Sequence, residues 1–153
     1  MSTTVAESPV HRQRYAITAR TRSRLGRGLL WLAAAGAVAS AATAVGGVAD
    51  AQPAVKVVET WRAYGYVIFA GLFALLALRP NDYRGVWELV ILHKVALTVT
   101  ALVYSRNDAI EGAGAILVWD GGLSVVLLVA YLLCRGWSSW AAPASARTSG
   151  GRG

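Results

Sequence analysis

Two residues of opposite charge lie deep inside long apolar runs of the sequence. Lys94 belongs to the run WELVILHKVALTVTALVY at 87–104, and Asp120 belongs to an apolar run at 110–134. Each charge lies ten residues from the end of its run that borders the SRNDA connection. If both runs are helices, this spacing is a depth of about 15 Å. Adjacent antiparallel helices would bring the two charges to one level, so the sequence predicts a Lys94–Asp120 ion pair.

Such a pair has two possible meanings. A charged residue inside a membrane helix costs roughly 2.5–3.5 kcal/mol on insertion scales and usually faces the bundle interior or water. A structural pair would hold the register of two helices, because a slipped helix leaves a charge unpaired. A functional pair would be a proton, ion or ligand site, with Asp120 exchanging partners. The residues alone leave both interpretations open.

Helical phase identifies the neighbours of the two charges. At 100° per residue, Thr98 shares the face of Lys94, Ser124 shares the face of Asp120, and His93 points elsewhere. At the start of the second apolar run, Arg62 is either an interfacial anchor or the mouth of a site for an acidic or amphipathic ligand. The candidate ligand-binding residues are Lys94, Asp120, Thr98, Ser124 and Arg62.

An enzymatic alternative uses two of the same polar residues. Asp120 would be the acid or base and His93 the proton relay, in an isomerase, cyclase or epoxide-opening enzyme acting on a hydrophobic substrate. The sequence contains no G-x-S-x-G, P-loop, H-E-x-x-H, C-x-x-C or dinucleotide-binding motif. His93 has no second histidine at helical spacing, and Cys134 is the single cysteine. No metal site and no cofactor are therefore predicted, and a non-enzymatic protein is favoured.

The elements that would position these residues are membrane-spanning helices. The chain is 56% hydrophobic and only 15% charged, a balance that indicates lipid as the solvent. Four apolar runs joined by short connections predict an all-α fold, a transmembrane four-helix antiparallel bundle. The predicted domains are a disordered basic cytoplasmic tail at 1–27, the bundle at 28–134 and a flexible cytoplasmic tail at 135–153. The predicted spans are about 28–49, 61–78, 86–104 and 110–134.

The distribution of basic residues predicts the orientation of the bundle. With both termini inside, the inner segments carry eleven Arg or Lys residues and the outer segments carry three. The positive-inside rule then favours an N-in/C-in, multi-pass protein of the cell membrane. The net charge of +7 is explained by this topology, so no nucleic-acid partner is predicted.

The first apolar run has an alternative interpretation as a signal peptide. The pattern Ala49-Asp50-Ala51 could be cleaved before Gln52, which would remove residues 1–51. The run is about 20 residues long, longer than the usual apolar region of a signal peptide, about 7–15 residues. It also carries a spaced set of small residues suited to helix packing. The members of this set are Gly36, Ser40, Thr43 and Gly47.

Two stretches of the chain resemble small integral membrane proteins of high-GC bacteria. They are ETWRAYGYVIFAGLFALLALRPNDYRGVWELVILHKVALTVTALVY at 59–104 and WDGGLSVVLLVAYLLCRGW at 119–137. The resemblance runs through the T-W-R, R-P, W-E-L-x-I-L-H-K and D-G elements. No activity is established for that group, so the resemblance implies a bacterial plasma-membrane or inner-membrane protein and no reaction. The size and four-span layout are also similar to DoxX-like proteins, on architecture alone.

Three functional hypotheses follow from the sequence. The first is an integral membrane protein that binds or passes a small ligand or a proton at the Lys94–Asp120 level, with the lipid bilayer as its surroundings. The second is the membrane-embedded enzyme described above, and the third is a purely structural accessory subunit. The expected partners are a second copy of the chain or another membrane subunit, and a hydrophobic small molecule.

Overall fold

The part of the chain that the structure describes folds into four long α-helices and one short 3-10 helix. A computed structural model describes residues 9–107 and 110–141, with side chains from Thr18 onward. The helices are α1 (Pro9–Asp50), α2 (Lys56–Leu78), α3 (Val86–Tyr104) and α4 (Ala113–Cys134), and the 3-10 helix (Gly136–Trp140), which we call the cap helix, follows α4. Each of the four α-helices contains a segment long and apolar enough to cross a membrane. The predicted all-α four-helix membrane fold is confirmed.

Prolines and glycines set the ends of the helices. Pro53 follows α1, and Pro80 follows α2 within two residues, where the missing N–H and the fixed φ angle oppose continuation of a helix. Gly85 precedes α3 with φ 79°, and Gly112 precedes α4 with φ 80°. Both glycines therefore adopt the left-handed conformation that other residues avoid. They allow the chain to turn sharply into the next helix.

The helices alternate in direction around the bundle. At one end, Arg27 Nε of α1 donates a hydrogen bond to the Ala77 carbonyl of α2 at 2.6 Å, and Cys134 Sγ of α4 lies 3.9 Å from the Ser23 carbonyl of α1. α1 packs against α2 and α4, α3 packs against α4, and α2 and α3 are the neighbouring pair with the smallest contact. We call this end the arginine-rich end. Its basic residues are Arg24, Arg27, Arg79, Arg84 and Arg135.

The apolar core occupies the half of the bundle nearest the arginine-rich end. Large side chains fill it, including Phe73, Trp87 and Leu127, each fully buried. In the other half, the buried apolar side chains of the described residues are alanines. They include Ala44, Ala101 and Ala113. The bundle is therefore densely packed at one end and lightly packed at the other.

The first helix is longer than the sequence predicts. Residues 9–27 were expected to be a disordered tail, and the structure instead includes them in α1. Pro9 takes the first helical position, where its fixed φ angle is favourable, and residues 10–25 contain neither glycine nor proline. A helix that is already nucleated by an apolar span extends readily through such a segment. Residues 1–8 lie outside the described residues.

The boundaries of the other spans differ from prediction only at their first residues. α2 begins at Lys56 and not near 61, and α4 begins at Ala113 and not at 110, whereas α3 covers 86–104 as predicted. Glu59 in the first turn of α2 suits the positive end of the helix dipole. The first turn of α2 is therefore polar, and a search for apolar runs does not detect it.

The residues directly after α4, 135–141, are part of the fold. Residues 136–140 form the cap helix, although the sequence predicts flexibility from residue 135. Gly136 is buried, and no side chain fits there, because a Cβ would overlap the Tyr131 ring and lie 3.1 Å from Trp87. The positive φ of 55° falls on the preceding residue, Arg135, at a cost of roughly 1–2 kcal/mol for a residue with a Cβ. Residues 142–153 lie outside the described part of the chain.

Alanines, and not the predicted small residues, form the packing face of α1. Gly36, Thr43 and Gly47 are exposed, and a Cβ built at either glycine would meet nothing within 4 Å. The prediction of a Gly36, Ser40, Thr43 and Gly47 packing face is therefore wrong. The buried residues of α1 are offset around the helix from that set. They include Leu30, Ala33, Ala34, Ala37 and Ala44.

Candidate functional site

Helices α3 and α4 bring Lys94 and Asp120 together. Lys94 Nζ donates a hydrogen bond to Asp120 Oδ1 at 2.7 Å. The side chains of Lys94 and Asp120 are only 7% and 15% exposed. The sequence predicts that the two charges lie at equal depth, and in the structure their side chains are in direct contact. The pair lies at the boundary between the densely packed and the lightly packed halves of the bundle.

Two hydroxyl side chains lie beside the pair without binding its carboxylate. Thr98 Oγ1 donates to the Lys94 carbonyl at 2.8 Å, and Ser124 Oγ donates to the Asp120 carbonyl at 2.8 Å. The two hydroxyl oxygens lie 3.4 Å apart across the α3–α4 contact. Thr98 and Ser124 thus lie where helical phase predicts, next to the ion pair, but each hydroxyl proton goes to the backbone of its own helix.

The third neighbour of Lys94 is an aromatic ring on α2. Lys94 Nζ lies 4.3 Å from the centroid of the Phe69 ring, a distance at which the negative face of the ring attracts a cation. Sequence reasoning missed this contact, although a count of depth could have found it. Phe69 lies nine residues before the end of α2, and Lys94 lies eight residues after the start of α3.

His93 occupies a different surface from the ion pair. Its ring packs on Phe69 with centroids 4.5 Å apart, and the residue is exposed on the outside of the bundle. Among the described residues, no hydrogen bond joins His93 to Asp120, whose carboxylate is bound by Lys94. The enzymatic hypothesis needs His93 and Asp120 to share a proton, and the structure does not bring them into hydrogen-bond contact.

Arg62 does not belong to the neighbourhood of the pair. It lies seven residues before Phe69 on α2, which is about 10 Å along the helix, toward the end opposite the arginine-rich end. Its guanidinium forms an ion pair with Glu59, and its side chain is 55% exposed. The structure therefore separates Arg62 from the other four predicted ligand-binding residues.

A second polar cluster, at the arginine-rich end, was not predicted from the sequence. Glu88 Oε1 accepts hydrogen bonds from Tyr131 Oη at 3.2 Å and from Trp140 Nε1 at 3.0 Å. Trp87 Nε1 donates to the Pro80 carbonyl at 2.7 Å, and Arg84 Nε donates to a carbonyl of the cap helix at 3.2 Å. The bonds from Trp140 and to the Ser139 carbonyl hold the cap helix across the end of α3 and α4. No local pattern in the sequence indicates that the cap helix folds back in this way.

Two apolar grooves on the surface lie away from the ion pair. One apolar groove of about 640 Å³ runs between α1 and α2 and is lined mainly by alanines. Another, of about 590 Å³, lies between α1 and α4 near Arg24. Neither groove is lined by Lys94 or Asp120. Over the described residues, no group of three His, Cys, Asp or Glu side chains is arranged to hold a metal ion.

The pair, its hydroxyl neighbours and Phe69 form one polar site inside the bundle. Their arrangement can hold a charge, exchange a proton or bind one small polar molecule. The resemblance to DoxX-like proteins remains an expectation from the sequence. In comparisons with protein-family models, with curated proteins and with solved structures, nothing matches the chain.

Proposed function

We propose that this integral membrane protein binds a proton or a small polar ligand at the Lys94–Asp120 pair, between α3 and α4. The proposal rests on one observation: the ion pair is nearly buried, and Lys94 does not use all of its hydrogen-bond donors. An ammonium has three N–H donors, and among the described residues Lys94 directs one of them to Asp120 and presents another face to the Phe69 ring. The remaining capacity suits a water molecule, a carbonyl oxygen or another small acceptor.

The size of the ligand is limited by the packing around the pair. Both side chains are mostly buried, and the two grooves described above lie elsewhere. A proton needs no cavity, and a water-sized ligand needs only a small one. The site therefore favours a proton or a very small molecule over the hydrophobic substrate of the enzymatic hypothesis.

The packing also supports access from one side. Trp87, Phe73 and the rest of the core separate the pair from the arginine-rich end. Toward the opposite end, the buried apolar side chains are alanines, which leave more room for water to penetrate. A proton would therefore reach Asp120 from the lightly packed end. On protonation, Lys94 would keep the Phe69 ring and lose its anionic partner, which would loosen the α3–α4 contact.

The distribution of arginines supports an orientation for this access. Cytoplasmic segments of membrane proteins are enriched in Lys and Arg, so we place the arginine-rich end in the cytoplasm and the lightly packed end outside. Glu111 lies in the connection at the outer end and is exposed. A Glu111→Cys change in a Cys134→Ser background should react with a membrane-impermeant maleimide in intact cells. If the introduced cysteine reacts only after the cells are broken, the orientation is the opposite of the one proposed.

Infrared difference spectroscopy tests proton binding directly. The protein is reconstituted in lipid vesicles, and spectra at neutral and acidic pH are subtracted. We expect a protonated-carboxyl band that is lost in Asp120→Asn and retained in Glu111→Gln, the control for an exposed acid. If Asp120→Asn leaves every pH-dependent carboxyl band unchanged, Asp120 does not take up a proton, and the proton-binding function is excluded.

A purely structural role is the second candidate, and one observation favours it. Thr98 and Ser124 pack together beside the pair across the same α3–α4 contact, so the polar groups act together to hold the register of the two helices. In that case Asp120→Asn would reduce stability and change no pH-dependent signal. The infrared experiment separates the two roles.

A further inference from the structure

His93 is a polar side chain on the outer surface of the membrane-spanning bundle. It is exposed, it lies one residue from the level of the ion pair, and its ring packs on the Phe69 ring. Neither ring nitrogen makes a hydrogen bond to any described residue. Lipid tails offer no donor or acceptor, so an imidazole at this depth carries the cost of unsatisfied polar atoms.

The residues around His93 form a continuous exposed face of α3. Counting along the helix, they are spaced by four, three, four and three residues, which is the heptad spacing of a left-handed helix pair. All are exposed on the bundle, including Leu89 at 67% and Val103 at 57%. We call this surface the His93 face. Its members are Leu89, His93, Ala96, Thr100 and Val103.

We propose that a second copy of this chain covers the His93 face, with the two α3 helices side by side and parallel. A two-fold axis along the membrane normal keeps every residue at its own depth, so residues at the crossing point meet their own copies. A neutral imidazole carries one donor and one acceptor. Two His93 side chains at the same depth therefore complete one hydrogen bond between the copies.

The neighbouring residues on the same face suit this packing. Ala96 and Thr100 follow His93 at successive turns and are small, so two helices can approach closely there. A single polar residue at a core position of a helix pair also sets its register and its number of strands. His93 would have that role, with Leu89 and Val103 packing at either end.

A second copy fits the His93 face better than lipid or an unrelated helix. Lipid leaves both ring nitrogens without partners. A different protein would need a donor or an acceptor at the depth of His93, whereas a second copy provides both by symmetry.

Disulfide cross-linking tests the arrangement with His93 intact. Cys134 is the single cysteine, so Cys134→Ser provides a background without thiols. In that background, Ala96→Cys places one thiol on the His93 face, and we expect copper phenanthroline to cross-link it to its copy in vesicles.

The matched control is Ala35→Cys on α1, the helix diagonally opposite α3. Gly26 packs against Ala130, next to the Tyr131 that binds Glu88, so Gly26 and Glu88 lie at similar depths. Ala35 lies nine residues beyond Gly26, and Ala96 lies eight residues beyond Glu88, so Ala35 and Ala96 also lie at similar depths. Like Ala96, Ala35 is exposed. Equal cross-linking of Ala35→Cys and Ala96→Cys, or no cross-linking of Ala96→Cys, would overturn the proposal.

Substitution of His93 tests the hydrogen bond. Association is measured in vesicles by energy transfer between labelled copies, and circular dichroism checks that each variant remains helical. We expect His93→Leu to weaken association about threefold to about twentyfold, the range of measured hydrogen bonds between membrane helices. His93→Asn should restore it, because an amide also carries a donor and an acceptor. If His93→Leu associates as strongly as the wild type, the proposed hydrogen bond does not hold the copies together.

Discussion

Replacing Lys94 with alanine leaves the Asp120 carboxylate in place without its cation. At a separation of 2.7 Å, two unit charges attract by about 6 kcal/mol at an effective dielectric constant of about 20. Withdrawing the two ions from water costs several kcal/mol each, so the intact pair contributes little net stability. The single variant loses the attraction and keeps the cost of burying Asp120.

Protonation limits the size of that loss. Protonating an aspartate of ordinary pKa, about 3.9, costs about 4 kcal/mol at about pH 7. Breaking a buried pair costs about 3–5 kcal/mol, so we expect Lys94→Ala to lower the free energy of unfolding by about 3–4 kcal/mol. The double variant with Asp120→Ala removes both charges and should lose about 1–2 kcal/mol, mainly from packing.

The assay is unfolding in mixed micelles with increasing dodecyl sulfate, followed by far-ultraviolet circular dichroism. The single variant should be less stable than the double variant by about 2 kcal/mol at neutral pH. The difference should shrink at about pH 5, where protonating an ordinary aspartate costs only about 1.5 kcal/mol. If the two variants lose equal stability at neutral pH, the ion pair is not what holds Lys94 in the bundle.

Two further predictions concern packing. Phe69→Leu removes the ring beneath Lys94 and should lower the free energy of unfolding by about 1–2 kcal/mol beyond the effect of the lost apolar area. Phe69→Tyr should preserve the cation contact. Equal stability of the two variants in the same micelles would contradict this prediction. Gly26→Ala should be destabilising because its Cβ would lie 2.6 Å from Cys134 Sγ, while Gly28→Ala meets nothing within 4 Å. Cys134→Ala should partly rescue Gly26→Ala when thermal unfolding is measured, and an absence of rescue would show that the clash lies elsewhere.

The positions of the four spans could be predicted because hydropathy is a property of each segment taken alone. α3 has the predicted bounds, since a left-handed glycine precedes it and the polar sequence SRN follows it. The Lys94–Asp120 contact could also be predicted, because two charges inside a membrane have few ways to lower their energy. The cost of an unpaired charge in the membrane is large enough to predict this contact without knowledge of how the side chains pack.

Other features depend on how distant segments meet, and the sequence carries little local trace of them. Trp140 and Glu88 lie 52 residues apart in the chain, and no periodic pattern links them. The packing face of α1 was misassigned because small residues cover much of that helix, and size alone does not say which side faces the neighbours. For the N-terminal part of α1, the absence of an apolar period suggested disorder, but arginine and alanine favour a helix without one.

The cap helix has a consequence for the order in which the protein is made. Glu88 receives its hydrogen bonds from residues 43 and 52 positions later in the chain. Domains and their parts become available in sequence order during synthesis, so α1, α2 and α3 can be inserted while Glu88 still lacks both donors. The arginine-rich end is therefore completed after α4 has been inserted and residues 136–140 have been synthesised. Until then, the Glu88 carboxylate and the Trp87 ring are accessible to any protein that assists insertion at that surface.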